Sequence, residues 1–316
     1  MTEVPLDPYR FRDAPFLTPP EAAARAGVDL EIARRFWRAL GLPELDDDAV
    51  ELDDEDVTAL GLLREIAGSG VPADDLVVVA RVYGQALARI ADAETRIFNQ
   101  RFVGPLLEQG LSKDEVEERL EPAVRLLLDR LSSQLDYVHR RHLGVALQRL
   151  TAEGGAGAAR LTIAFADLAD YSRITRRSDE REFAELIARF EEVVIESCAD
   201  PMVRLVKVLG DAAMFISSDA QTALKTARAL VRTTRDDPHL PAARAGLDVG
   251  HVLARGGDYF GAPVNRAARI TAFARSGTVV VSEDVFAELP DDERDASPVG
   301  TRRLKGVGRV KLYKLA

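Results

Sequence analysis

Cysteine is nearly absent from this 316-residue sequence, which contains only Cys198, and aromatic residues make up just 6% of it. A single cysteine excludes an internal disulfide, and we expect a protein of the reducing cytoplasm. The sequence has no apolar run of about 18 residues or more, which predicts no membrane-spanning helix, and residues 1–9 lack the pattern of an export signal. A basic excess is also missing, and the net charge of −10 argues weakly against a nucleic-acid partner.

What is present is the composition of an ordinary globular protein, with 47% hydrophobic and 30% charged residues. The length predicts two domains. The best boundary is the glycine- and alanine-rich segment 153–159, which we interpret as a linker. Residues 1–152 are predicted to form an all-helical domain, whereas strand and helix patterns alternate in residues 160–316.

Apolar spacing and capping residues predict the elements of both parts. In the first part, helices are expected at 19–26, 30–40, 54–67, 74–98, 113–131 and 134–150. In the second part, strands are expected at 161–166, 203–208, 212–217, 243–249, 253–260, 278–281, 299–305 and 309–315, with helices near 179–197, 219–234 and 263–275. The βαββαβ order of this part predicts an α/β (α+β) sheet of the ferredoxin-like, split-βαβ kind.

Two aspartates stand at the ends of predicted buried strands. Asp167 follows the apolar run 161–166, and Asp211 lies at the tip of the hairpin formed by 203–208 and 212–217. Carboxylates brought together on adjacent strands repel each other unless cations lie between them. Mg²⁺ binds one or two carboxylates together with phosphate oxygens. The pair therefore predicts a two-metal site for phosphoryl chemistry.

Three further polar residues accompany the aspartates. Lys207 precedes Asp211 by four residues and is suited to contact a phosphate or a base. Asn265 and Arg269 are four apart on a predicted helix, so they share a face that suits a phosphate with developing charge. Taken singly, such residues are more typical of turns, solvated helix faces and surface lysines.

Four segments in order resemble the catalytic domain of class III nucleotidyl cyclases. They are Phe-Ala-Asp-Leu at 165–168, Lys-Val-Leu-Gly-Asp at 207–211, Asp-Tyr-Phe-Gly at 258–261 followed by Val-Asn-Arg-Ala-Ala-Arg at 264–269, and Leu-Lys-Gly-Val-Gly at 304–308. Each motif alone is weak, but their order, with the expected elements between them, is specific. The resemblance covers about residues 160–316.

The resemblance implies a homodimer with two active sites at its interface. One subunit would supply Asp167 and Asp211 to two Mg²⁺ or Mn²⁺ ions. The other subunit would supply Asn265 and Arg269 to the transition state, and Lys305 matches the family's triphosphate-binding lysine. The implied reaction is attack of the ribose 3′-hydroxyl on the α-phosphate, which gives a cyclic nucleotide and pyrophosphate.

The resemblance also implies which base is bound. That second subunit would present Lys207 and Asp258 to the base, the combination that the family uses for adenine. A lysine donates to the acceptor N1 of adenine, and an aspartate accepts from its N6 amino group. Guanine has the reverse pattern and would leave both groups unpaired. The implied substrate is therefore ATP and the product cyclic AMP.

Three features depart from the family pattern. The loop 254–257 is shorter than the arm of animal cyclases, which indicates a bacterial subgroup. Asp170 replaces a small residue and adds negative charge near the phosphates, which predicts reduced activity. His251 lies where some relatives carry a phosphate-binding arginine.

The first part of the chain resembles the helix-turn-helix of MerR-type regulators over residues 17–43. DNA binding would then involve Arg34, Arg35 and Arg38. The acidic run 44–56 would repel phosphates where a wing should touch them, so we do not expect a DNA partner. The arrangement instead resembles actinobacterial cyclases that an N-terminal helical domain holds inactive.

His139 and His142 lie three apart on the helix that enters the catalytic domain. Histidine titrates near neutral pH, so we hypothesise that these residues bias the dimer and make the enzyme acid-activated. Ordinary surface histidines are an equally good interpretation. The alternative function is a non-enzymatic, nucleotide-sensing or DNA-binding regulator that keeps a cyclase-like dimer.

Overall fold

The structure, a computed structural model, describes residues 14–152, 159–169, 171 and 179–315. The chain divides into two compact units, residues 1–149 and 150–316. Most of the predicted linker, residues 153–158, lies outside the described residues, as does Asp170. Within the described residues, no helix combines the length and apolarity needed to cross a membrane.

The first unit is helical. Its helices are α1 (Pro19–Ala26), α2 (Leu30–Leu40), α3 (Asp54–Gly68), α4 (Ala73–Phe98), α5 (Gly104–Glu108) and α6 (Lys113–Ala152), with a π-helix at Asn99–Val103 between α4 and α5. Thr18 and Asp53 cap α1 and α3 with reciprocal hydrogen bonds to the third residue of each helix. The buried core of this unit gathers around Trp37 and Leu60. The predicted all-α start of the chain is confirmed.

The prediction of two helices at 113–131 and 134–150 was wrong, because α6 is one helix of 40 residues. The expected break fell at Ser132 and Ser133, which are only moderately poor helix formers and not breakers. Neither glycine nor proline lies there to end the helix. The π-helix and α5 were not anticipated from the sequence.

The second unit is built on one sheet of eight strands. They are β1 (Ala159–Leu168), β2 (Val203–Leu209), β3 (Ala212–Ser217), β4 (Ala243–Arg255), β5 (Asp258–Phe260), β6 (Val279–Ser282), β7 (Ala296–Leu304) and β8 (Gly308–Leu315). The sheet order is β2-β3-β1-β4-β6-β8-β7, with β5 paired to β4. The helices are α7 (Glu180–Ser197), α8 (Ala220–Asp236), α9 (Ala262–Phe273) and α10 (Glu283–Glu288).

The first part of this unit confirms the predicted ferredoxin-like order. The elements β1, α7, β2, β3, α8 and β4 follow the βαββαβ pattern, and their strands lie in the order β4-β1-β3-β2. The main core, around Phe190, Phe215 and Leu230, packs α7 and α8 against one face of the sheet. Residues of α9 pack against the opposite face, with Ala267 beside Ile163 and Ile270 beside Val280.

The strand β4 is longer than predicted. We expected a glycine loop after residue 249, but β4 continues through Gly250 and turns only at Gly256 and Gly257, whose φ angles are 60° and 79°. Gly250 serves packing, because a Cβ there would lie 2.7 Å from Cγ of Pro263. Gly250 therefore marks a place where helix α9 lies close to the strand, and the turn that we expected there was wrong.

Candidate active site

The aspartates Asp167 and Asp211 lie side by side on neighbouring chain segments. Asp167 is near the end of β1, opposite Ala212 of β3, and Asp211 occupies the tight β2–β3 turn. The backbone N–H of Leu168 donates to the carbonyl oxygen of Asp211 at 2.9 Å, which fixes this neighbourhood. Both aspartates are half-buried.

The electrostatics of this pair favour a cation. Burial raises the pKa of Asp211, and the negative charge of Asp167 raises it further. A hydrogen bond from the backbone of Asp211 and the charge of Arg244 act in the opposite direction, but the net shift of the pKa is upward. The ionised carboxylate of Asp211 is therefore less favourable in the folded chain than in water.

Arg244 contacts this aspartate pair, which the sequence did not lead us to expect. Its Nε donates to Oδ1 of Asp167 at 2.6 Å and its Nη2 donates to Oδ2 at 3.1 Å. Its Nη1 also reaches the carbonyl oxygens of Ala272 and Ala274, at the end of α9. The available signal was an arginine between two alanines, Ala243 and Ala245, at the start of a predicted strand.

Lys207 and Asp258 form an ion pair within one chain. Lys207 follows an irregularity in the β2–β3 pairing, and Asp258 begins β5. The backbone N–H of Tyr259 also donates to Asp258 at 2.8 Å. Burial raises the pKa of Asp258, but its hydrogen bonds with Lys207 and Tyr259, together with the lysine charge, lower it overall. The two residues thus offer one donor and one acceptor at the same place.

Asn265 and Arg269 lie one turn apart on α9, and both are exposed. Lys305 is exposed in the turn between β7 and β8. Among the described residues, none of these three side chains bonds to Asp167 or Asp211. The structure therefore brings four of the predicted residues together as two pairs, Asp167 with Asp211 and Lys207 with Asp258.

His251 lies in β4, opposite Arg160 of β1, and its side chain is exposed. Asp170, the other departure from the family pattern, falls outside the described residues. Within those residues there is no group of three or more His, Cys, Asp or Glu side chains able to hold a metal ion. Mg²⁺ in proteins is commonly held by one or two carboxylates together with waters and substrate phosphate oxygens.

The arginines of the helix-turn-helix-like segment are all engaged with acidic residues. Arg34 forms an ion pair with Asp47, Arg35 contacts Asp74 at 2.5 Å, and Arg38 lies 3.9 Å from Glu44. DNA phosphates would have to compete with these carboxylates for the same guanidinium groups.

His139 contacts α4 from its position on α6. Its Nε2 lies 3.4 Å from the hydroxyl oxygen of Tyr83, and the two rings meet edge to face with centroids 5.9 Å apart. His142 is exposed on the same helix. The structure thus gives His139, but not His142, a contact between two helices of the first unit.

Comparisons with known proteins match both parts of the chain. The family model of the adenylate cyclase regulatory domain matches residues 11–148, and that of the adenylate and guanylate cyclase catalytic domain matches residues 157–316. An adenylate cyclase of Streptomyces coelicolor is 38% identical over 283 residues, which cover 88% of this chain and 73% of the relative.

Two further proteins are similar to this chain. A pH-sensitive adenylate cyclase of Mycobacterium tuberculosis is 31% identical, covering 96% of this chain and 79% of that protein. The crystal structure of an adenylate/guanylate cyclase/hydrolase from Silicibacter pomeroyi is 25% identical with a TM-score of 0.45, covering 50% of this chain and 96% of that one. The chain belongs to the class III adenylate cyclases that carry an N-terminal regulatory domain.

Proposed function

We propose that this protein converts ATP to 3′,5′-cyclic AMP and pyrophosphate at a homodimer interface. The observation that carries the proposal is the presence of two preformed pairs in one chain, Asp167 with Asp211 and Lys207 with Asp258. The first pair offers oxygen ligands for hard cations, and the second offers a donor and an acceptor for a base. A nucleoside triphosphate bound to Mg²⁺ needs both.

The aspartate pair fits divalent cations. A cation beside Asp211 would relieve the burial and the repulsion that raise its pKa. When bound, two Mg²⁺ or Mn²⁺ ions would polarise the ribose 3′-hydroxyl and neutralise charge on the triphosphate. The type and the number of ions stay predictions.

The remaining residues act on the nucleotide directly. Lys207 donates to N1 of adenine and Asp258 accepts from the N6 amino group. Lys305 holds the triphosphate, and Asn265 and Arg269 donate to the oxygens that gain charge as the 3′-oxygen attacks the α-phosphorus. The 3′-hydroxyl loses its proton to solvent, a bond forms between its oxygen and the α-phosphorus, and the bond to the pyrophosphate oxygen breaks.

A second copy of the chain completes the site in this proposal. Among the described residues, the side chains of Asn265, Arg269 and Lys305 form no hydrogen bond with the aspartates of their own chain, where Asp167 is paired with Arg244. The β4–β5 hairpin also presents two apolar side chains to solvent, Leu253 at 60% exposure and Phe260 at 51%, which face each other in register. Such a patch beside Asp258 is suited to a protein partner, and we infer that the partner is another copy.

We further propose that the first unit regulates the second and that the regulation responds to pH. The contact of His139 with Tyr83 supplies a titratable link between α4 and α6. The similarity to a pH-sensitive cyclase supports this direction. The proposed limits are a regulatory domain at 1–152, a linker at 153–159 and a catalytic domain at 160–316. Location in the cytoplasm, with its ATP, is part of the same proposal.

The deciding experiment measures cyclic AMP formed from ATP with Mn²⁺, by the full-length protein and by a fragment that begins at Ala158. GTP, assayed for cyclic GMP, is the control substrate, and Asp211→Asn is the control for contaminating activity. We expect product from ATP only, and more from the fragment if the first unit inhibits. Absence of product from both forms would contradict the enzyme proposal. Binding of a DNA duplex by the protein at moderate salt, measured by gel retardation, would favour the alternative of a non-enzymatic, DNA-binding regulator.

A further inference from the structure

The side of β4 that faces α9 has an unusual composition. Alternate residues of a strand point to the same face, and here they are Arg244, Gly246, Asp248 and Gly250. Two charged residues and two glycines thus occupy positions where a helix-covered strand normally carries apolar side chains. Interactions other than the packing of apolar side chains must therefore attach α9 to this part of the sheet.

The two glycines allow the helix to lie directly on the strand. A Cβ at Gly246 would lie 2.2 Å from the backbone nitrogen of Thr271, and one at Gly250 would lie 2.7 Å from Cγ of Pro263. Neither contact leaves room for a side chain. These positions fix the distance between α9 and β4 near both ends of the helix.

Asp248 lies between these two contact points and reaches the middle of the helix. Its carboxylate is fully buried and forms an ion pair with Arg266, whose side chain is 28% exposed. Burial raises the pKa of Asp248, and hydrogen bonds from Ser282 and Arg266 oppose that rise. Arg266 has a second, weaker partner in the exposed Asp284, at 3.9 Å. A buried carboxylate is costly unless it is paired, so Arg266 is restricted to positions in which it still contacts Asp248.

Arg266 is the immediate neighbour of Asn265 and precedes Arg269 by three residues. Because side chains on a helix are fixed relative to one another, a contact that holds Arg266 against the sheet also sets where Asn265 and Arg269 project. The glycines set the height of α9, and the ion pair between Asp248 and Arg266 is a directional side-chain contact that constrains its rotation.

We propose that Asp248 and Arg266 are positioning residues that fix the rotation of α9 and so aim Asn265 and Arg269 at the reacting phosphate. The inference rests on the proposed function of those two residues. Asp248 and Arg266 touch neither substrate nor reacting atoms in this proposal. Their loss should lower the rate of the chemical step and leave ground-state binding of ATP nearly unchanged.

The test compares kcat and KM for ATP in the full-length protein and its variants. Asp248→Asn removes the buried charge and leaves Arg266 with only its weaker partner, the exposed Asp284. The double variant Asp248→Leu, Arg266→Met replaces the pair by apolar side chains, which often preserves stability. We expect kcat to fall roughly 10- to 100-fold in both, with KM changed less than about 3-fold. The kcat of Arg266→Lys, which keeps the positive charge, should lie between that of these variants and that of the wild type.

Arg228→Met is the matched control, because Arg228 also forms an ion pair and its side chain is 26% exposed, but on the helix α8 of the opposite face. It should lower the thermal midpoint without changing kcat. Wild-type kcat in the double variant, or in Arg266→Lys if the double variant fails to fold, would overturn the inference. Full activity of Asn265→Ala and Arg269→Ala would instead overturn the proposed function on which it rests.

Discussion

Arg244 donates to both carboxylate oxygens of Asp167 across the β1–β4 pair, at 2.6 Å from Nε and 3.1 Å from Nη2. The same guanidinium group reaches the carbonyl oxygens of Ala272 and Ala274 through Nη1. It therefore joins a proposed metal ligand to the C-terminal end of the helix that carries Asn265 and Arg269. In a dimer these two elements would serve different active sites, so Arg244 connects the two sites through one chain.

Replacing Arg244 by alanine should weaken metal binding. Asp167 would lose the two hydrogen bonds that orient it, and loss of such outer partners typically costs about 10- to 100-fold in metal affinity or activity. The measurement is Mn²⁺ binding by electron paramagnetic resonance, with and without nucleotide, beside the Mn²⁺ dependence of activity. Arg235→Ala is the control, since Arg235 pairs with its exposed neighbour Asp236, away from the aspartates. An unchanged Mn²⁺ affinity would contradict the positioning role.

Asp211→Asn should abolish activity and stabilise the metal-free protein. The folded-state pKa of Asp211 lies above its ordinary value of 3.8. The folded chain therefore binds the proton more tightly than the unfolded chain, and this favourable contribution is lost as pH rises through the raised pKa. At neutral pH the ionised side chain costs stability, which an uncharged amide would restore.

The measurement for Asp211→Asn is the thermal midpoint without divalent ions, followed from about pH 4 to about pH 8, because the two forms should differ most where the wild-type carboxyl group is ionised. The variant should melt a few degrees higher than the wild type near neutral pH, and the difference should shrink as the solution is acidified. Mn²⁺ should raise the midpoint of the wild type and not that of the variant. A variant that is less stable than the wild type at neutral pH would contradict a raised pKa of Asp211.

Much of the proposed site could be predicted from the sequence because its residues sit at places with local signals. Asp211 follows a turn glycine, and Asn265 and Arg269 share a helix face by spacing alone. Arg244, Asp248 and Arg266 could not be found in this way. Their partners are 77 residues away in the case of Arg244 and Asp167, and 18 residues away in the case of Arg266 and Asp248. Their roles appear only when β4 pairs with β1 and α9 crosses both.

The fold shows the same division between local and distant causes. The βαββαβ order followed from alternating apolar patterns, which are local. The extent of β4 did not, because Gly250 resembles a turn residue until Pro263 is seen against it. The prediction of two helices in place of α6 failed for a local reason: Ser132 and Ser133 lower helix propensity slightly, but no residue at that point ends the helix.

Mixing two inactive variants should restore activity if each site is shared between two chains. Asp211→Asn damages the metal half of a site, and Asn265→Ala damages the transition-state half. In a mixed dimer both defects fall in one site, and the other site is intact. Random pairing makes about half of all dimers mixed, so we expect about a quarter of wild-type activity.

The control for this experiment mixes Asp211→Asn with Asp167→Asn, which damage the same half-site. Every dimer of that mixture carries a metal defect in both sites, so no activity should return. Equal activity in both mixtures would contradict a shared site, and no recovery in either would favour sites built within one chain.

The pH response should depend on the contact between His139 and Tyr83. The Nε2 of His139 lies 3.4 Å from the Tyr83 hydroxyl oxygen, and in the tautomer that leaves Nε2 unprotonated the imidazole accepts a hydrogen bond from that hydroxyl. Protonation turns Nε2 into a donor, so the hydrogen bond has to reverse its direction, and it adds positive charge beside Arg140, which is paired with Asp136 at 2.9 Å, and beside Arg141. Acid should therefore weaken the α4–α6 contact and release whatever inhibition the first unit exerts.

We expect the full-length wild type to gain activity as the pH falls from about 8 to about 6, across the range in which histidine titrates. The double variant His139→Ala, His142→Ala should lose this gain, and Tyr83→Phe should reduce it because only the hydroxyl partner is removed. His239→Ala is the matched control, since His239 lies in the second unit and its loss should leave the profile unchanged. A double variant that keeps the wild-type pH profile would show that the sensor lies elsewhere, and a flat profile in the fragment from Ala158 would still assign it to the first unit.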